Sequence, residues 1–97
     1  MFTEIVMFSI PPGMSREEVV DRFEVSAEAW RGYKDLVRKN YLYDPEEGRA
    51  GGVYLWKNLE AAKQAHNAEW IARTTRIFSA PSFQYFETPI VVDNTST

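Results

Sequence analysis

The chain has 97 residues, a length for one domain with no room for a second, and its 44% hydrophobic content is more than a disordered chain carries. A net charge of −3 with no basic run or stripe argues against nucleic acid as a partner, and the absence of cysteine excludes disulfides, thiolate catalysis and cysteine metal sites. The opening Met1-Phe2-Thr3-Glu4 has no basic n-region and no apolar run is long enough to span a bilayer, so neither a signal peptide nor a membrane partner is expected, and a cytoplasmic location is.

Residues Phe2 to Ile10 read as a first strand, with Phe2, Val6, Phe8 and Ile10 on one face and Ile5 and Met7 on the other. Pro11-Pro12-Gly13 ends it, because two prolines remove ladder donors. Ser15-Arg16-Glu17-Glu18 is a capping box. The helix behind it carries Val19, Phe23, Ala27 and Trp30 as one apolar stripe, with Gly32 as its stop. Leu36 to Tyr43 alternates, with Val37, Lys39, Tyr41 and Tyr43 on one face and Leu36, Arg38, Asn40 and Leu42 on the other. Asp44-Pro45-Glu46-Glu47-Gly48 is a polar turn, and Arg49 to Trp56 returns as the second arm of a hairpin. Asn58 caps a helical pattern that starts at Leu59 and runs to about Phe78, with Ala62, His66, Trp70 and Ile77 on its apolar stripe and a break near Asn67. Phe83 to Val92 is the last strand. The expected domain spans residues 1–93, and 94–97 form a polar tail.

Strand, helix, strand, strand, helix, strand is the α+β, ferredoxin-like βαββαβ order. Two helices cover one face of such a sheet. Here strands one, three and four carry large apolar side chains on both faces, so a second copy packed sheet to sheet is the expected cover, giving a homodimer. The alternative is a sheet with scattered exposed aromatics.

His66 is the one histidine, and its ordinary pKa alone lies near neutrality. Two readings stand for it: a proton acceptor facing a pocket between helix and sheet, or a core histidine satisfied by a backbone carbonyl. Trp30, Trp56 and Trp70 can stack on a planar ligand or simply fill the core. Tyr41, Tyr43 and Tyr54 lie on paired strands, where one phenol can point into a pocket. An inward Lys39 needs a partner and marks an anion or ligand site, whereas an outward one is solvated. Asn40 can polarise a carbonyl and Arg73 can place positive charge at the pocket, though each has a plain surface reading too. Gly51-Gly52 permits close backbone approach but lacks the spacing of a phosphate loop. One histidine without clustered acids makes a metal site unexpected, and no Rossmann fingerprint calls for a nicotinamide or flavin cofactor.

The runs Leu36-Val37-Arg38-Lys39-Asn40-Tyr41-Leu42-Tyr43, Gly48-Arg49-Ala50-Gly51-Gly52-Val53-Tyr54-Leu55-Trp56 and Ala65-His66-Asn67-Ala68-Glu69-Trp70, with the late Tyr85-Phe86-Glu87-Thr88-Pro89, resemble the YdhR-like monooxygenase family. That family belongs to the dimeric α/β-barrel superfamily with the antibiotic biosynthesis monooxygenases. Where the family usually has Gly-Leu before strand two, this chain reads Asp35-Leu36, a departure that alters a turn. The resemblance implies a ferredoxin-like protomer, a homodimer that closes into a dimeric α/β barrel, a pocket in each protomer, and cofactor-free oxygenation of a small aromatic such as a phenol or hydroquinone. It implies His66 as base or hydrogen-bond partner, Trp30, Tyr54 and Trp70 as pocket walls, and Lys39 or Tyr41 steadying an oxyanion. Two other functions fit the same residues: a non-redox cyclase or isomerase of polyketide-like substrates, and a small-molecule binding or stress-response protein without turnover.

Overall fold

The computed structural model describes residues 1–95, so Ser96 and Thr97 of the expected 94–97 tail lie outside the described residues. The elements in chain order are β1 (Phe2–Ser9), α1 (Arg16–Trp30), β2 (Leu36–Asp44), β3 (Arg49–Trp56), α2 (Leu59–Ala65), α3 (Ala68–Ile77) and β4 (Ser82–Glu87). The strands form one antiparallel sheet in the order β2-β3-β1-β4, which is the ferredoxin-like arrangement expected from the sequence. The helices pack on one face. Buried Val6, Tyr54, Trp56, Ala62 and Ala65 form the core between sheet and helices.

Local chemistry sets the boundaries. Ser15 and Glu18 form the reciprocal capping box at the start of α1. The side chain of Asn58 accepts from the Ala61 amide, and that of Asn67 accepts from the Trp70 amide. Each asparagine therefore starts a helix, and the break expected near Asn67 becomes two helices separated by His66-Asn67. His66 is thus the C-cap of α2, with φ −96° and ψ 60°.

Two expectations need correction. β4 ends at Glu87, five residues short of Val92. Pro89 cannot donate to a ladder, and the chain leaves the sheet there. A register shift between Leu36 and Arg38 turns Leu36 inward against the core and leaves Val37 exposed, the reverse of simple alternation. Gly32 stops α1 as expected: Arg31 is the C-cap, and Gly32 just after it takes the left-handed conformation with φ 71°.

Beyond the bulge, alternation holds. Lys39 faces Tyr54 across β2 and β3, Tyr54 faces Glu4 across β3 and β1, and Glu4 faces Tyr85 across β1 and β4. One polar row, Lys39-Tyr54-Glu4-Tyr85, therefore crosses the helix-covered face of the sheet. In the next row Tyr41 faces Gly52. Gly52 leaves room that other side chains use: an added Cβ would lie 3.0 Å from Cε of Lys39 and 3.3 Å from a Tyr54 ring carbon.

The opposite face carries Ile5, Met7, Leu42, Val53 and Leu55. Residues 88–92 cross part of it, where Thr88, Ile90, Val91 and Val92 line a small hollow with Thr3, Arg38, Asn40, Val53 and Leu55. Arg38 reaches Asp93 at 3.7 Å. Phe86, Ile90 and Val92 stay largely exposed. No helix among the described residues is long and apolar enough to cross a membrane.

Asp35 occupies the left-handed region with φ 66°, at the place where Gly-Leu was expected from the family pattern. Its carbonyl accepts from the Lys57 amide at 2.9 Å, so the turn is pinned despite the steric cost. Replacing Asp35 by Gly is expected to stabilise the protein by about 0.5–1 kcal/mol, read as a higher urea midpoint with unchanged slope.

Candidate active site

A cavity of about 930 Å³ opens between α1, α3 and the sheet. Phe23, Ser26 and Trp30 come from α1, Lys39 and Tyr41 from β2, and Trp70, Arg73, Thr74 and Ile77 from α3, with Phe8 and Phe78 closing one end. Phe8 and Phe78 stack at 4.5 Å, and Phe23 lies 4.7 Å from Tyr41. The Tyr41 hydroxyl and the Ser26 hydroxyl are 2.7 Å apart, which ties α1 to the floor of the cavity. Glu18, Asp21, Arg22, Glu69 and Arg73 bring charge to the cavity, and Arg73 is occupied by Glu69 at 3.1 Å.

Of the six residues singled out from the sequence, Trp30, Lys39, Tyr41 and Trp70 line this cavity. Tyr54 and His66 lie one ring deeper. The His66 imidazole is 4.2 Å from the Trp70 ring, 4.7 Å from Tyr54, 5.5 Å from Trp30 and 5.7 Å from Phe83. Tyr54 meets both His66 and Trp30 edge-on, so it links the deep and the lining layers. Asn40 lies on the opposite face of the sheet, exposed and away from this cavity.

The residue missed at the sequence level is Glu4. It is fully buried. One carboxylate oxygen accepts from Trp56 Nε1 at 2.9 Å and the other meets His66 Nδ1 at 2.9 Å. The core histidine is therefore satisfied by a carboxylate and not by a backbone carbonyl. The far nitrogen, Nε2, is buried and meets no hydrogen-bond partner among the described residues. The signal was present in β1: Glu4 stands between Phe2 and Val6 on the face the apolar pattern assigns inward. Tyr85, next to Glu4 across β4, was also overlooked.

Lys39 is held in an aromatic cage. Its Nζ lies 3.9 Å from the Tyr41 ring centre, 4.5 Å from Tyr54 and 4.9 Å from Trp30. It makes no ion pair among the described residues. Burial pushes its ammonium down to about 7, opposed by the Glu4 carboxylate. The three ring faces likewise favour the charged form. The phenols move the other way: burial raises Tyr54 well above its ordinary value, with Tyr41 and Glu4 adding to the effect. Burial and then Glu4 push Tyr85 up to about 12. Burial raises Tyr41 as well, against the Ser26 hydrogen bond and Arg31. At neutral pH these phenols are hydrogen-bond donors, and Lys39 is a group that can exchange a proton. Among the described residues no three His, Cys, Asp or Glu side chains gather as a cation site.

The Lys39 shift has a definite sign in stability. Its folded pKa lies below the unfolded value, so the folded state binds fewer protons between about 7 and 10.5. The cost of the buried charge is complete below that window and fades as pH rises through it. Lys39→Met is expected to raise stability by roughly 2–4 kcal/mol near pH 6, with the gain shrinking toward about pH 10. Urea unfolding at the two pH values checks this, and a gain independent of pH would contradict it.

Comparison with family models and with curated protein sequences finds no match. Solved structures do match. A protein of Deinococcus radiodurans assigned to the antibiotic biosynthesis monooxygenases superposes with a TM-score of 0.73 at 13% identity, over 99% of this chain and 100% of that one. An arginine-to-serine variant of MhuD, with two manganese protoporphyrin IX molecules bound per active site, gives 0.73 at 23% identity over 97% and 100%. An asparagine-to-alanine variant of SnoaB, a cofactor-independent oxygenase from Streptomyces nogalater, gives 0.68 at 16% identity over 94% and 95%. At these identities the likeness establishes the fold: this chain shares its architecture, over nearly its whole length, with these three proteins.

Proposed function

We propose that the protein is a cofactor-independent monooxygenase of the YdhR-like family, acting in the cytoplasm as a homodimer on a small aromatic of the phenol or hydroquinone class. The observation that carries this reading is the cavity itself: a space of about 930 Å³ with aromatic walls and one caged cation, Lys39. Flat rings fit between Trp30, Tyr41 and Trp70, and an oxyanion fits beside Lys39. The shared fold with a cofactor-independent oxygenase supports the same reading.

The chemistry needs little from the protein. A phenol loses its proton to a base, and the electron-rich anion gives one electron to dioxygen. The two radicals join at a ring carbon, and the hydroperoxide formed there loses water to leave a carbonyl. For an activated CH₂ group the balance is R₂CH₂ + O₂ → R₂C=O + H₂O, so the substrate supplies every electron and no reductant is required. His66 takes the first proton, Lys39 holds the developing oxyanion, and the aromatic walls exclude bulk water. Tyr54 holds the imidazole edge-on from behind. Reaching His66 requires one of the wall indoles, Trp30 or Trp70, to move off the imidazole, so closure and opening of that wall gate the step.

The homodimer rests on the opposite face of the sheet. Ile5, Met7, Val53 and Phe86 remain there, only in part covered by residues 88–92. Sedimentation at micromolar concentration is expected to give twice the chain mass; the mass of one chain would remove this part of the reading.

Oxygen uptake by the metal-free protein with a panel of hydroquinones and anthrone-like phenols tests the reaction. Uptake matched by product is expected, falling about 100-fold or more in His66→Ala. No uptake across the panel would overturn the oxygenase reading. Undiminished uptake in the variant would overturn the role of His66.

A further inference from the structure

The buried pair Glu4 and His66 is expensive for a chain of this size. A desolvated carboxylate demands donors on both oxygens, and it has found two: the Trp56 indole and the His66 imidazole, each at 2.9 Å. An apolar pair of the same volume would stabilise the core as well or better. Yet the second imidazole nitrogen has no partner among the described residues, which forgoes about 1–3 kcal/mol. The arrangement costs stability at both ends, so its value lies in what it holds.

Neither partner can slide. β1 is laddered to β3 on one side and β4 on the other, which fixes the height of Glu4 in the sheet. The His66 backbone is fixed between α2 and α3, whose starts are set by Asn58 and Asn67. Trp56 Nε1 carries one hydrogen and can only donate, so one Glu4 oxygen is committed to it. The other oxygen is left to receive the hydrogen of His66 Nδ1. With that hydrogen placed, Nε2 is left as a bare lone pair.

We propose that Glu4 is a positioning residue that locks His66 in the Nδ1–H tautomer, so that Nε2 is a preset acceptor for the hydroxyl of a phenolic ligand. Glu4 touches no ligand itself; it acts through the imidazole. The inference deepens the proposed function and rests on its choice of a phenol as ligand. It concerns binding and tautomer, and it does not depend on oxygen being consumed.

The test has two arms that separate these points. His66 is the sole histidine, so ¹⁵N-edited NMR of the ring nitrogens reports one imidazole. In the native protein the expected signature is a protonated Nδ1 and an unprotonated Nε2. In Glu4→Gln, which presents a carbonyl oxygen at only one of the two carboxylate positions and a donor at the other, a mixed or reversed tautomer is expected, and the dispersion of the backbone amide signals shows whether the core is intact. A hydrogen on Nε2 in the native protein, or an unchanged tautomer in a folded Glu4→Gln, overturns the proposal. The second arm compares 1-naphthol with 1-methoxynaphthalene by calorimetry. The native protein is expected to bind the naphthol about 10-fold more tightly, because the ether has no hydrogen to give. The preference is expected to vanish in Glu4→Gln. Equal binding of both probes to the native protein overturns the hydroxyl contact even if the tautomer is as stated. Should the probes behave as expected and oxygen uptake be absent, the oxygenase reading fails and this inference stands.

Discussion

The structure turns on one fully buried carboxylate. Glu4 sits at the middle of the sheet, on the face the helices cover, and its charge is felt in every direction across that face. It accepts from Trp56 and His66, it opposes the fall in the Lys39 pKa, and it adds to the rise of Tyr54 and Tyr85. In a medium that screens poorly, such couplings reach further than at a surface. The row Lys39-Tyr54-Glu4-Tyr85 is therefore best seen as one electrostatic unit laid across four strands. Its cation is at the cavity end and its anion is under the histidine.

The rest of the fold serves that unit. Breaking the second helical segment at His66-Asn67 places the imidazole on a cap, where its side chain drops into the core beside Tyr54 and Trp70. Gly52 leaves a gap in the next row of the sheet, and the Lys39 stem and Tyr54 ring use it. Gly51 lets β3 approach β1 so closely that a Cβ there would lie 1.8 Å from the Val6 carbonyl oxygen. The tight β1–β3 pairing fixes Glu4 beside Tyr54. α1, in contrast, stands off the sheet and leaves the cavity beneath it, bridged by the Ser26–Tyr41 hydrogen bond.

Much of the architecture was legible in the chain because periodicity and punctuation are local. The capping box at Ser15, the cap at Asn58 and the polar turn at 44–48 mark boundaries by chemistry that neighbouring residues carry among themselves. That Lys39 and Tyr41 share a face follows from alternation, but that this face is the inward one is shown only by the packing of α1 against it. What alternation cannot reveal is a register shift, and the one between Leu36 and Arg38 exchanged the faces of Leu36 and Val37. Glu4 was hidden for a different reason. Its partners stand 52 and 62 residues away, and no local pattern announces a pairing of that range. A carboxylate on an apolar face is visible in sequence, but only the sheet order and the helix break show that an imidazole lies above it. The placement of His66 behind the wall, and not in it, was equally beyond periodicity, because it depends on how Trp30 and Trp70 from two different helices close over it.

The proposed function places a phenolic ring in the cavity between α1 and α3 with its oxygen on His66 Nε2. A crystal structure of the protein soaked with 1-naphthol tests it directly. The ring is expected against Trp30 and Trp70, with one of those indoles displaced from the imidazole and the hydroxyl oxygen within about 3 Å of Nε2 while Glu4 keeps Nδ1. A naphthol bound on the far face of the sheet, or a buried water on Nε2 with the ligand elsewhere in the cavity, would contradict it.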